Sequence, residues 1–172
     1  MVRDFDTNEF PLAYLISFRC YGTWLHGDQR GSMNRKRNKY GTPRLAPNPR
    51  LENAEAKRLK HPPMTLNAEQ RGVVDKAIRE VCICRNYFLR AINVRTNHVH
   101  TVVSVALKPE PVLNAFKAYA TRALCRGGLL TAGVKPWARH GSTPYLWKER
   151  HVEKAIEYVL YGQGDELPTF DD

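Results

Sequence analysis

Acidic residues are scarce in this chain: 17 Asp and Glu stand against 27 Lys and Arg, for a net charge of +10. An excess of that size points to a polyanionic partner, nucleic acid first. Long apolar runs and lipidation motifs are missing. The membrane surface that a basic chain could otherwise coat therefore has no support here. The first nine residues are polar and acidic, unlike a signal peptide, so a cytoplasmic protein is expected. Cysteine is sparse too. Cys20, Cys82, Cys84 and Cys125 form no Cys-x-x-Cys knuckle and stand in apolar runs, so all four are expected as reduced core residues. A zinc site on Cys82 and Cys84 would lack a partner pair. Internal repeats and low-complexity tracts are absent. What is present is a globular composition, 42% hydrophobic over 172 residues, expected as one domain over 1–172 with a sizeable core.

The periodicities predict an α+β order. Residues 12–21 (LAYLISFRCY) read as a first strand. A different territory follows, rich in Gly, Pro, Asn and Arg, and forms a basic insertion at about 26–62. Residues 30–60 carry ten Lys or Arg against only Glu52 and Glu55, with Arg35, Lys36, Arg37 and Lys39 in one run. Such a loop reads as a nucleic-acid arm, with a short helix near 51–59. Asn67 with Gln70 marks a helix start, and Val74, Ala77, Ile78, Val81 and Cys82 give its apolar stripe. Residues 87–94 and 97–105 read as a hairpin of two strands around Arg95. A second amphipathic helix covers 109–125, a short strand lies near 143–147, and a last helix runs over 149–161 to Gly162. This βαββαβ order plus a C-terminal helix predicts an antiparallel sheet with two helices on one face.

The chemistry centres on His98 and His100. On a strand, residues two apart project to the same face, so the two imidazoles form a half-site for a divalent metal. For the last helix, Val152, Ala155, Ile156, Val159 and Leu160 make the expected apolar stripe. Tyr158 then stands off that stripe, beside His151 and Lys154. Tyr119 is expected in the core of its helix, and Tyr161 falls in a last turn prone to fraying. A tyrosine beside a metal can cut a phosphodiester: the phenolate attacks and the ion polarises the phosphate. Magnesium or manganese would suit two imidazoles supplemented by oxygen ligands, and Gln163 offers an amide oxygen. Arg95 at the hairpin bend and Lys117, Arg122 and Arg126 on the polar side of the 109–125 helix are expected, with the arm, to contact DNA phosphates. Trp24, Trp137 and Tyr145 are open to two readings, base stacking or core packing.

Asn97-His98-Val99-His100 before an apolar strand resembles the His-hydrophobic-His motif of the single-tyrosine HUH transposases, and most nearly the REP-associated tyrosine transposase-like branch. The segments 21–28 (YGTWLHGD), 142–147 (STPYLW) and 158–164 (YVLYGQG) resemble flanking stretches of that branch, so the likeness runs from about 13 to 164. It implies a ferredoxin-like fold, His98 and His100 as metal ligands, and Tyr158 as the nucleophile. It also implies single-stranded DNA with hairpins as substrate, a 5′-phosphotyrosine intermediate, and homodimers in some members. Many members place a ligating glutamine four residues after the tyrosine. Here Gln163 is five residues on, with Gly162 between, so it reaches a metal only if the helix ends at that glycine. Two alternatives stand beside this reading: a non-catalytic binder of hairpin nucleic acid with the same fold, and a metal phosphoesterase that uses water.

Overall fold

The computed structural model describes residues 9–29 and 45–162. Alternation along the first strand sends Tyr14, Ile16 and Phe18 to one side and Ala13, Leu15, Ser17 and Arg19 to the other. Both sides are largely apolar, so this strand, β1 (Ala13–Arg19), sits inside the sheet. Two helices follow in the chain, α1 (Pro49–Lys57) and α2 (Ala68–Cys84). The hairpin strands are β2 (Phe88–Val94) and β3 (His98–Ser104); then come α3 (Pro109–Arg126), β4 (Tyr145–Leu146) and α4 (Glu149–Tyr161). The strands lie in the order β2-β3-β1-β4, each antiparallel to its neighbour. With the helices between them, this is an α+β, ferredoxin-like sheet with an added C-terminal helix.

Two apolar cores separate the layers. On one face α2 and α3 bury Tyr14, Ile16, Phe18, Ile92, Val99 and Val103. On the other, Val152, Ala155 and Val159 of α4 cover Ala13, Leu15, Ala91 and Val102. Among the described residues the C-terminal helix is the one helix that covers this face of the sheet, and that is the face onto which Ser17, Arg19, His98 and His100 project.

Several boundaries moved for identifiable reasons. The strand expected over 143–147 is only two residues long. Pro144 has no N–H to donate, and along the rest of β1 the edge is met by isolated bridges, Ser17 with Ser142 and Cys20 with Trp137. The short helix starts earlier than expected, at Pro49, because the Asn48 side chain accepts from Leu51 N at 3.2 Å and proline fits the first helical position. Cys20 and Cys82 are buried, with thiols pushed up to about 12 and about 11 by burial. Cys84 and Cys125 are exposed, contrary to the expectation that all four are core. Cys84 is only two residues from Cys82, which turns it about 200° round the helix.

The capping signal of α2 is present as a reciprocal pair. Asn67 Oδ1 accepts from Gln70 N and Gln70 Oε1 accepts from Asn67 N, each at 2.8 Å. Asn67→Ala is therefore expected to lower stability by about 1 kcal/mol. A shifted urea midpoint with unchanged slope would check this, and Asn67→Ser should recover most of the loss.

Candidate functional site

Strand register assembles the site. His100 stands opposite Ser17 on β1 and Asn93 on β2, while His98 stands opposite Arg19. The two imidazoles meet edge to face with centroids 4.7 Å apart. Each is held at its Nδ1 edge: His100 lies 2.5 Å from Ser17 Oγ, and His98 lies 2.6 Å from Asn97 Oδ1. An amide oxygen only accepts, so His98 Nδ1 is the donor there and its Nε2 is left with the lone pair. The same tautomer at His100, with Nδ1–H given to Ser17, turns both Nε2 lone pairs outward from the strand.

His100 is buried, and its pKa is pushed down to about 3, first by desolvation and then by the charges of His98 and Arg95. An imidazole held so low is a poor base for a phenol proton and a good neutral ligand. The donor set fits a divalent ion of the manganese or magnesium kind, with oxygen ligands completing the sphere. Among the described residues no third His, Cys, Asp or Glu joins the pair. Gln163, the expected third ligand, lies outside the described residues, as do Arg35, Lys36, Arg37 and Lys39.

The depressed pKa has a consequence for stability. Below pH 6.5 the unfolded chain takes up a proton at His100 that the folded chain refuses down to about pH 3. Folding stability therefore falls as pH drops through that window, by up to roughly 1.4 kcal/mol per pH unit, and His100 contributes no slope above it. In EDTA, stability of the parent should fall more steeply between these limits than that of His100→Gln. Parallel pH profiles would refute the burial effect.

The last helix brings Tyr158 to this pair. Its hydroxyl lies 3.5 Å from His100 Nε2, and the two rings meet at 5.3 Å between centroids. Asn93, across from His100, donates from Nδ2 to the Val159 carbonyl at 2.9 Å and ties the end of α4 to the sheet. The helix stops at Gly162, as the glycine suggested. A Cβ at Gly162 would come 3.0 Å from Tyr158 Cδ2, so the missing side chain makes room for the tyrosine ring. A cleft of about 340 Å³ runs past Tyr158, lined also by Lys154, Glu157, Tyr161 and Gly162.

The expected stripe on α4 needs correcting. The buried residues are His151, Val152, Ala155 and Val159; Tyr158 is half-buried beside them, and Leu160 is 44% exposed. His151, Ala155 and Tyr158 follow one another at helical spacing, so the buried stripe runs through His151 and leaves Leu160 on the far side. Tyr158 therefore occupies the margin of the packed face, where its ring is braced and its hydroxyl faces His100. Tyr161 is 82% exposed.

Sequence reasoning passed over Ser17, Asn93 and Arg19, and gave Asn97 no role beyond its place in the motif. The available signal was Ser17 and Arg19, two polar residues at strand spacing in an otherwise apolar strand. Arg19 donates to the Trp24 carbonyl at 2.5 Å and lies over the Trp24 ring, whose residue adopts a left-handed φ of 51°. Cys20 N donates to the Asn97 carbonyl at 2.8 Å, so the segment after β1 clamps the bend that carries Asn97 and His98.

The basic residues do not share one face. Arg95 is exposed at the bend, close enough for its charge to act on His100. Lys117, Arg122 and Arg126 lie on α3, in the layer behind the sheet from Tyr158. Lys117 donates to the carbonyls of Ala138 and His140 at 2.8 and 2.9 Å, and burial, with Arg19 adding, pushes its pKa down to about 8. Its ammonium thus fastens the chain between α3 and β4. Trp137 is a core residue: it packs edge-on against Phe18 and donates to Thr121 Oγ1 at 3.0 Å. Tyr145 is 44% exposed.

Comparison with protein-family models finds no match, and neither does comparison with curated proteins. Among the described residues no helix is long and apolar enough to cross a membrane.

Proposed function

We propose that this protein cuts and rejoins single-stranded DNA, with Tyr158 as the nucleophile and His98 and His100 as ligands of a divalent metal. The observation that carries the reading is the meeting of a histidine pair with a tyrosine from a distant part of the chain. Two strand histidines present their Nε2 edges on one face, and a helix tyrosine puts its hydroxyl 3.5 Å from one of them. Family resemblance supplies the rest: hairpin-bearing DNA, a 5′-phosphotyrosine link, and the oxygen of Gln163 as third ligand.

The chain's own contribution is positioning. Asn97 sets the tautomer of His98, Ser17 holds His100 at its Nδ1 edge, Asn93 anchors the helix end, and Gly162 leaves space for the Tyr158 ring. A bound magnesium or manganese ion supplies Lewis-acid polarisation of the phosphate. The phenolate oxygen of Tyr158 bonds to phosphorus as the bond to the 3′ oxygen breaks, and the freed 3′ oxygen takes a proton. The phenol proton leaves to solvent, because the His100 Nε2 lone pair that faces the hydroxyl would be taken up by the metal. Phosphodiester energy is conserved in the protein–DNA link, so the reverse attack by a 3′-hydroxyl needs no nucleotide cofactor.

The test is incubation of the full chain with a labelled library of single-stranded hairpins and Mn²⁺, scored for covalent adducts that survive denaturation. An adduct that disappears with EDTA supports the reading. Binding without cleavage would favour the non-catalytic binder, and cleavage without an adduct would favour water as the nucleophile.

A further inference from the structure

Behind the sheet, on the layer formed by α2 and α3, two guanidiniums lie over one tyrosine ring. Arg122 Cζ is 4.6 Å from the Tyr119 centroid and Arg85 Cζ is 5.7 Å from it. Arg85 caps the end of α2 and is exposed there. Arg122 is one turn along α3 from Tyr119, and Arg126 is one turn further on the same exposed side. The ion pairs of α2 use other cations, Lys76 with Glu80 and Arg79 with Asp75. Along α3 the one acidic residue is Glu110, in the first turn, so the stretch around Tyr119 and Arg126 is purely cationic.

Two like charges gathered on one ring repel, and the face of the half-buried Tyr119 ring offsets only part of that cost. An anion accepting from both removes the repulsion. Stacking on a ring face also orders a guanidinium in advance, which lowers the entropy lost when it grips a ligand, and leaves its N–H edges available for hydrogen bonds. Such edges match the paired oxygens of a phosphate.

We infer that Arg85, Tyr119 and Arg122 form a second nucleic-acid site, a clamp for backbone phosphates on the layer opposite Tyr158, with Arg126 extending it. This deepens the proposed function and rests on nucleic acid being the substrate. The clamp carries no chemistry. It holds a part of the nucleic acid other than the one being cut.

The test compares the parent with Arg85→Gln/Arg122→Gln by anisotropy, in EDTA and over a salt series, using a labelled single strand and a labelled duplex of the same sequence. Both arginines are exposed, so folding should persist, and a thermal melt would check it. The slope of log affinity against log salt should flatten by about 1.8 if the clamp takes duplex, or by about 1.4 if it takes a single strand. Which probe loses slope identifies the source of the phosphates. Slopes unchanged on both probes, or an equal loss in the control Lys76→Gln/Arg79→Gln, would overturn the inference. Adduct formation is scored separately. Absent adducts with arginine-dependent binding intact would refute the Tyr158 chemistry alone. Normal adducts with unchanged salt slopes would refute the clamp alone.

Discussion

Tyr158→Phe should abolish the covalent protein–DNA adduct while leaving the fold and metal affinity in place. The substitution removes one oxygen from a half-buried ring that packs at the edge of the core between α4 and the sheet. The hydroxyl lies 3.5 Å from His100 Nε2, near the limit of a hydrogen bond. The adduct needs that oxygen as its bonding atom, so its yield should fall below detection rather than by a modest factor. Tyr161→Phe and Tyr119→Phe serve as controls. Tyr161 is 82% exposed on the outer side of the same helix, and Tyr119 lies behind the sheet under Arg85 and Arg122. Both variants should keep the adduct. Mass spectrometry of the digested adduct decides the assignment: a nucleotide on a peptide carrying Tyr119, or on Tyr161, would displace Tyr158.

His98→Ala and His100→Ala should each slow adduct formation at least a hundredfold, about 2.7 kcal/mol of lost transition-state stabilisation. DNA binding should change little, since it rests on phosphate contacts made by other residues. His100 is buried against Ser17, and its truncation leaves a polar hole, so His100→Gln is the safer variant at that position. His98 is half-buried and should tolerate alanine. A readout independent of catalysis is Mn²⁺ titration followed by electron paramagnetic resonance. Either loss should weaken the ion's binding, because two imidazoles on a rigid strand act together. Unchanged Mn²⁺ affinity in both variants would remove the metal from the site and with it the proposed chemistry.

Much of this was legible in the sequence because it is local. Strand alternation alone places His98 and His100 on one side. The Asn67 and Gln70 pair marks the start of α2, and Gly162 marks the end of α4. Helix periodicity separates Leu124 and Phe116 of α3 from its exposed cations. The order of elements carries the ferredoxin-like arrangement, since short connections restrict which strands pair. Periodicity does not say which element covers which face. That α4 takes the sheet face bearing the histidines, with Tyr158 at its margin and Leu160 outside, was settled by how Val152, Ala155 and Val159 pack on Leu15, Ala91 and Val102. Register between β1 and β3, which sets Ser17 against His100, depends on pairing across more than eighty residues. The same non-local contacts tie Asn93 to Val159 and Lys117 to the carbonyls of Ala138 and His140, and they divide the basic residues between two layers. A side chain's direction within its element follows from local backbone geometry. Its partners follow from which surfaces bury one another, and only the folded chain decides that.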